Sequence, residues 1–198
     1  LDFEFDPKDI LHFRIDRKKK LPITTILFAL GLSRLDIIKH FYDSNEFSYN
    51  KEDKTWITKF NPENYKRPIK LRFDLIDAKT KKKFLNKGDK LNYVIANKLK
   101  EKNLSNISIS NLEIIGKYSA TEVKGKNGEI ILKSGFDITE EILEKIQSEE
   151  IEKLKLVNID PVNKGPYLLE TLKVDKNNSK NDALNDIYKV LRPGEAPT

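Results

Sequence analysis

The sequence predicts an α+β chain in three stretches of different texture. Period-2 alternation gives way to helical stripes within the first 42 residues. Short charged strands and a weak internal repeat follow after Tyr42. A helix-rich texture returns near Asn163. The implied divisions are 1–42, 43–162 and 163–198.

The opening reads as a β-hairpin. Leu1, Phe3 and Phe5 alternate with Asp2, Glu4 and Asp6, the pattern of a strand with one buried face. Pro7-Lys8-Asp9 supplies the turn, and Leu11, Phe13 and Ile15 alternate on the return strand. Two helices follow. Pro22 suits a first helical turn, Ile26, Leu27 and Leu30 form the apolar stripe, and Gly31 stops it. Ser33 and Asp36 stand at capping-box spacing before Leu35, Ile38 and Phe41.

Residues 46–49, 55–60 and 69–76 read as strands. The repeat then sets Leu85, Gly88, Leu91, Ile95, Leu99, Leu104, Ile107 and Ile109 against Leu132, Gly135, Ile138, Ile142, Ile146, Ile151, Leu154 and Leu156, at one constant offset. Each copy predicts strand, glycine turn, amphipathic helix and strand. True pseudo-symmetry and chance likeness between two common helix–strand units both fit. Asn127-Gly128 between apolar runs predicts a hairpin. Gly165-Pro166-Tyr167 predicts a loop leading into an extended segment up to Val174. Ser179 and Asp182 then cap a helix that turns Leu184, Ile187, Tyr188 and Leu191 inward and ends at Arg192-Pro193-Gly194.

Composition narrows the function. Charged residues make up 34% of the chain and hydrophobic ones 38%, with no run near the roughly 20 apolar residues of a membrane span. The absence of cysteine excludes disulfides, thiolate metal sites and cysteine nucleophiles. With no targeting signal, the cytoplasm is the expected location. The chain lacks methionine and opens in mid-pattern, so it reads as a fragment. Thirty-seven basic residues against 31 acidic ones give a net charge of +6, a mild bias toward acidic partners.

No catalytic motif is present. Glycine-rich phosphate loops and paired metal-ligand spacings are missing, and His12 and His40 lie far apart. Trp56 reads as a core residue or as an exposed anchor for a partner. The one local cluster with chemical meaning is Arg14, Arg17, Lys18, Lys19 and Lys20. Such a cluster attracts phosphates and releases their counterions, or it forms a solvated turn between strand and helix.

Two stretches go beyond generic pattern. They are Phe13-Arg-Ile-Asp-Arg-Lys-Lys-Lys-Leu-Pro-Ile-Thr-Thr-Ile-Leu-Phe-Ala-Leu-Gly31 and Arg192-Pro-Gly-Glu-Ala-Pro-Thr198, the latter preceded by Gly165-Pro-Tyr167 and Glu170-Thr-Leu-Lys-Val-Asp175. They resemble segments of the bacterial DNA-directed RNA polymerase β subunit, as does the opening Leu1–Lys8. Ala196 departs from the family's proline. The resemblance is closest over 1–42 and 163–198, and the middle is similar to a lineage-specific insertion of proteobacterial-type β subunits.

The resemblance implies a discontinuous lobe domain interrupted by a mixed strand and helix insertion. It implies DNA as a partner, held along the downstream and non-template channel, together with the α, β′ and ω subunits and sigma factor. It implies no cofactor in this segment, since the polymerase magnesium is bound by β′. It adds Asp16 and Arg192 to Arg14 and the 17–20 run as DNA-facing residues, although an aspartate between arginines also suits an ion pair. It places the chain in the cytoplasm, at the nucleoid. The alternative is that the insertion serves mainly as a docking surface for transcription regulators.

Overall fold

A computed structural model describes residues 1–159 and 165–195, so the expected boundary at 162/163 and the closing Ala196-Pro-Thr198 lie outside the described residues. It shows an α+β fold, as the sequence predicts.

The N-terminal sheet has the order β1 (Asp2–Phe5), β2 (Leu11–Arg14), β3 (Leu21–Pro22), all antiparallel. Its first turn is closed by Asp6, whose carboxylate accepts the Lys8 and Ile10 N–H groups. The strand expectation for β1 holds, but its buried face does not: Leu1, Phe3 and Phe5 are all exposed. The strand lies on the sheet edge, and only Phe13 of β2 reaches the core, while Phe5 meets the Tyr167 ring edge-on.

Helix α1 (Ile23–Ala29) buries Thr24, Thr25 and Phe28; of the expected stripe Leu27 packs partly buried against the core, Ile26 is half-buried and Leu30 is 72% exposed. Helix α2 (Arg34–Phe41) carries the reciprocal Ser33–Asp36 capping box and buries Ile37 and Ile38, leaving Leu35 and Phe41 largely outside.

The central region begins with β4 (Ser44–Asn50) and β5 (Thr55–Lys59). The expected strand over 69–76 is two strands in different sheets, β6 (Ile69–Lys70) and β7 (Leu75–Asp77). Then come β8 (Lys83–Leu85), β9 (Lys90–Leu91), α3 (Tyr93–Glu101), β10 (Asn106–Ile109), α4 (Asn111–Ile114), β11 (Val123–Lys124), β12 (Ile130–Leu132), α5 (Glu140–Ser148) and β13 (Lys153–Val157). The main sheet has the order β13-β4-β5-β10-β7-β8.

The repeat is structural. Hairpin β7–β8 pairs Leu75 with Leu85 and Ile76 with Lys83 across a bulge; β11–β12 pairs Val123 with Leu132 and Lys124 with Ile130 across the same bulge. Gly88 and Gly135 both turn at positive φ. Asn92 and Thr139 cap the two helices by accepting the N–H of Ile95 and Ile142. At the far ends Asn103 and Glu150 adopt left-handed conformations, φ 70 and 55. There Leu104 and Ile151 donate to the carbonyls of Leu99 and Ile146, at 3.1 and 3.0 Å, so both helices close with the same Schellman arrangement. The hairpin loops differ in length, residues 77–82 against 125–129, but the bulge, the glycine turn and both helix caps recur, which favours true pseudo-symmetry over chance likeness. One continuous core, from Phe47 and Trp56 to Leu154 and Leu156, fills both copies.

The C-terminal stretch departs from expectation. Residues 167–174 form a helix, α6 (Tyr167–Val174), and not an extended segment. Leu169 and Leu172 enter the core one turn apart, and the Thr171 hydroxyl donates back to the Tyr167 carbonyl. Helix α7 (Lys180–Leu191) starts at Ser179 as predicted, but buries only Ala183; Leu184 and Leu191 are exposed. A second core joins Phe28, Ile37, Ile38 and Tyr42 to Leu169, Leu172 and Ala183, and takes in Ala120 and Val157 from the central region.

At the heart of that second core sits the carboxylate of Asp175. It accepts from the hydroxyls of Thr24 at 2.5 Å and Thr25 at 3.1 Å, and from the Asn177 backbone and side-chain nitrogens, both at 2.9 Å. Two predictions follow from this packing. Asp175→Ala leaves those donors unpaired, so the urea midpoint should fall by the equivalent of about 3 kcal/mol. Gly135→Ala should cost about 1–2 kcal/mol in the same measurement, because its φ of +85 strains a side chain and a Cβ there meets Ile38 Cδ1 at 3.3 Å.

Candidate nucleic-acid interface

The basic run begins where β2 leaves the core. Lys18 N–H donates to the Ile15 carbonyl at 3.0 Å, closing a tight turn. Both central residues are left-handed, Asp16 at φ 50 and Arg17 at φ 57, the mark of a type I′ turn. Aspartate tolerates this region through its short polar side chain, whereas for arginine it costs on the order of 1 kcal/mol. The turn throws Asp16 and Arg17 into solvent, and Lys19 and Lys20 behind them are exposed as well.

Lys18 points the other way. It is half-buried, and its ammonium donates to the Leu191 carbonyl at 2.7 Å. That carbonyl belongs to the last turn of α7, where helical partners run out and the dipole favours a cation. The next residue is Arg192, whose N–H closes the helix on the Tyr188 carbonyl at 2.8 Å. Its guanidinium lies 6.0 Å from the Tyr188 ring centre and 3.6 Å from Glu195. One lysine therefore joins the basic turn to Arg192 across the length of the sequence.

The charges on this edge are not equally free. Arg14 Nε bonds Glu4 at 2.8 Å. That bond holds the Glu4 carboxyl below its ordinary range, with the field of Lys20 helping. Asp6 is also depressed, first by the Ile10 backbone bond, with a smaller contribution from Lys20. Among the described residues Arg17 and Lys19 make no ion pair or hydrogen bond, and Asp16 has no cationic partner. The ion-pair reading of Asp16 is not met. The edge is therefore led by Arg17 and Lys19, flanked by Lys20 and Arg192 with partial compensation, and anchored by Lys18. Such an arrangement can hold a polyanion.

The other sequence candidates are structural. Trp56 is fully buried in the central core, and its indole N–H donates to Asn111 Oδ1 at 2.9 Å, which overturns the exposed-anchor reading. His40 packs edge-on against Phe41. Among the described residues no group of three or more His, Cys, Asp or Glu is placed to hold a metal, and no helix is long and apolar enough to cross a membrane. The role of Lys18 had no local signal: the run reads as five similar cations until α7 arrives beside it.

No family model matches the chain. Curated relatives do. It is 41% identical over 199 residues to the DNA-directed RNA polymerase subunit beta of Ehrlichia canis (strain Jake), covering all of this chain and 14% of that protein. Against the same subunit of Caulobacter vibrioides (strain NA1000 / CB15N) the identity is 38% over 199 residues, with the same coverage. Against that of Cereibacter sphaeroides (strain ATCC 17029 / ATH 2.4.9) it is 37% over 210 residues, covering 15% of the relative. The chain thus spans about one seventh of the length of these relatives. Its whole-length match to them places it, as a segment, in the DNA-directed RNA polymerase β-subunit family.

Proposed function

We propose that this segment is the lobe of a bacterial RNA polymerase β subunit, lining the channel that holds downstream and non-template DNA. In this reading residues 1–42 and 163–198 form the discontinuous lobe, and 43–162 are the insertion. The polymerase joins nucleotides with magnesium held by β′, and the segment contributes DNA grip and not chemistry. It works in the cytoplasm, at the nucleoid, assembled with the α, β′ and ω subunits and sigma factor.

The observation that carries the DNA-facing role is the Lys18 bond to the Leu191 carbonyl. It gathers two basic segments onto one exposed edge and leaves Arg17 and Lys19 without carboxylate partners among the described residues. Phosphates supply the missing counter-charge. Because such contacts are made to the backbone, they position DNA without reading its sequence. In the same reading Asp16 accepts from a base amino group, and Arg192 contacts a base edge or phosphate.

The test is the salt dependence of promoter-complex stability in reconstituted polymerase. Replacing Arg17, Lys19 and Lys20 together with alanine should flatten the log–log salt slope by about 2–3, close to one per lost phosphate contact. An unchanged slope rejects the role. Lys18→Met addresses the anchor separately. It should lower the stability of the segment by about 1 kcal/mol in urea denaturation, through loss of a charged bond at a helix C-terminus.

A further inference from the structure

Among the differences between the two structural repeats, one concerns charge: the cleft between hairpin tip and helix end. In the second repeat this cleft is zipped shut. Lys126 donates its backbone N–H to Glu149 at 3.1 Å and its ammonium to Glu150 at 3.4 Å, tying the β11–β12 turn to the end of α5. Glu152 beside them is neutralised by Lys51 at 2.8 Å.

In the first repeat the corresponding cleft stands open as a groove of about 770 Å³, with Lys79, Lys82, Lys100 and Lys102 on its rim and Phe84 and Leu104 beneath. By register, Lys82 replaces Glu129, Lys100 replaces Gln147 and Lys102 replaces Glu149. Like charges now face each other across the gap and cannot close it. None of the four lysines has an ion-pair partner among the described residues. Lys82 lies 5.1 Å over the Phe84 ring, and Lys100 only adds to the field at Glu63. The one carboxylate in the groove, Asp77, is buried and occupied by the N–H groups of Lys79 and Thr80.

We propose that this groove receives an acidic segment of a protein partner, whose carboxylates take the place that Glu149 and Glu150 fill in the second repeat. In the second repeat carboxylates complete a cleft built from the equivalent hairpin and helix end. Half-buried Phe84 adds apolar surface beside the lysines, which suits a hydrophobic side chain between the acids better than a phosphate backbone. The site is separate from the 14–20 edge and does not depend on the DNA-facing reading.

The test uses polymerase assembled with the full-length subunit and a fluorescein-labelled peptide of alternating glutamate and leucine, followed by fluorescence anisotropy. The unaltered enzyme should bind it. The triple variant Lys82→Glu, Lys100→Gln, Lys102→Glu installs the residues of the second repeat and should weaken binding by about tenfold or more. Lys79→Glu alone, at an exposed turn position, should give a smaller loss in the same direction. A peptide with glutamine in place of glutamate should not bind. Absent binding to the unaltered enzyme, equal binding to the variants, or equal binding of the glutamine peptide overturns the proposal. So does a result in which the variants lose single-stranded DNA and keep the peptide, which gives the groove to nucleic acid.

Discussion

The helical part of this structure depends on one buried carboxylate. Asp175 caps α6 from inside the core, a place where an unpaired charge costs several kcal/mol. It is tolerated because its acceptor capacity is filled by two threonine hydroxyls and by Asn177, with the Arg34 guanidinium close enough to act on it. Burial pulls the Arg34 pKa down while Asp175 pushes it back up, so each ion makes the other admissible. Arg34 also donates to the Leu172 carbonyl, and Asn177 passes the network to Asp186 of α7. One carboxylate thereby sets α1, α2, α6 and α7 against each other. With α7 fixed, its last carbonyl lies within reach of Lys18.

The same helices hold the central region in place. Tyr118 bonds Glu170, and Lys173 reaches Asp137 at 2.7 Å. Burial works against the Lys173 ammonium, but Asp137 and Glu170 outweigh it and its pKa is raised. Gly135 packs beside Ile38, Leu169 and Leu172, where its φ of +85 favours a residue without Cβ and an added Cβ would crowd Ile38. These contacts all come from the second repeat or the segment leading into it. The first repeat contributes nothing to the helical core. The two copies have thus divided their work: the second attaches, and the first is free to present its surface.

What the sequence made legible was local. The Ser33–Asp36 capping box, the Ser179 cap on the Asp182 N–H, the Asn127-Gly128 turn and the paired glycine turns each rest on residues within a few positions of one another, and each appears in the structure. What it hid was tertiary. Threonines 24 and 25 face inward because Asp175 waits for them about 150 positions later, and no periodicity in α1 encodes that. The Gly165-Pro166 pair suggested a loop, yet Leu169 and Leu172 find a core to enter and α6 forms. The alternation in β1 was real, but alternation says which residues share a face and not whether anything covers it. The site was half legible. The cationic run was visible, while the division of labour within it depended on the position of a distant helix end. The four groove lysines are dispersed among many others and become a cluster only when hairpin and helix fold together.

Charge in this chain accordingly has two uses, separated by whether a partner is built in. Lys18 meets a helix terminus, Lys126 two glutamates, and Lys173 two acids; these cations fix geometry, and their counter-charges are internal. Arg17 and Lys19 sit on a turn whose left-handed backbone is unfavourable for arginine, and a strained, exposed, unpaired cation contributes little to folding. Like charges that oppose closure of the first repeat's cleft contribute less than nothing. Both features make the isolated segment less stable than the alternatives its own sequence demonstrates, since a glutamate pair closes the sister cleft between equivalent elements. Stability alone therefore does not account for them. In the two proposals made above, the counter-charge comes from outside the segment, as phosphate at the turn and as carboxylate at the groove.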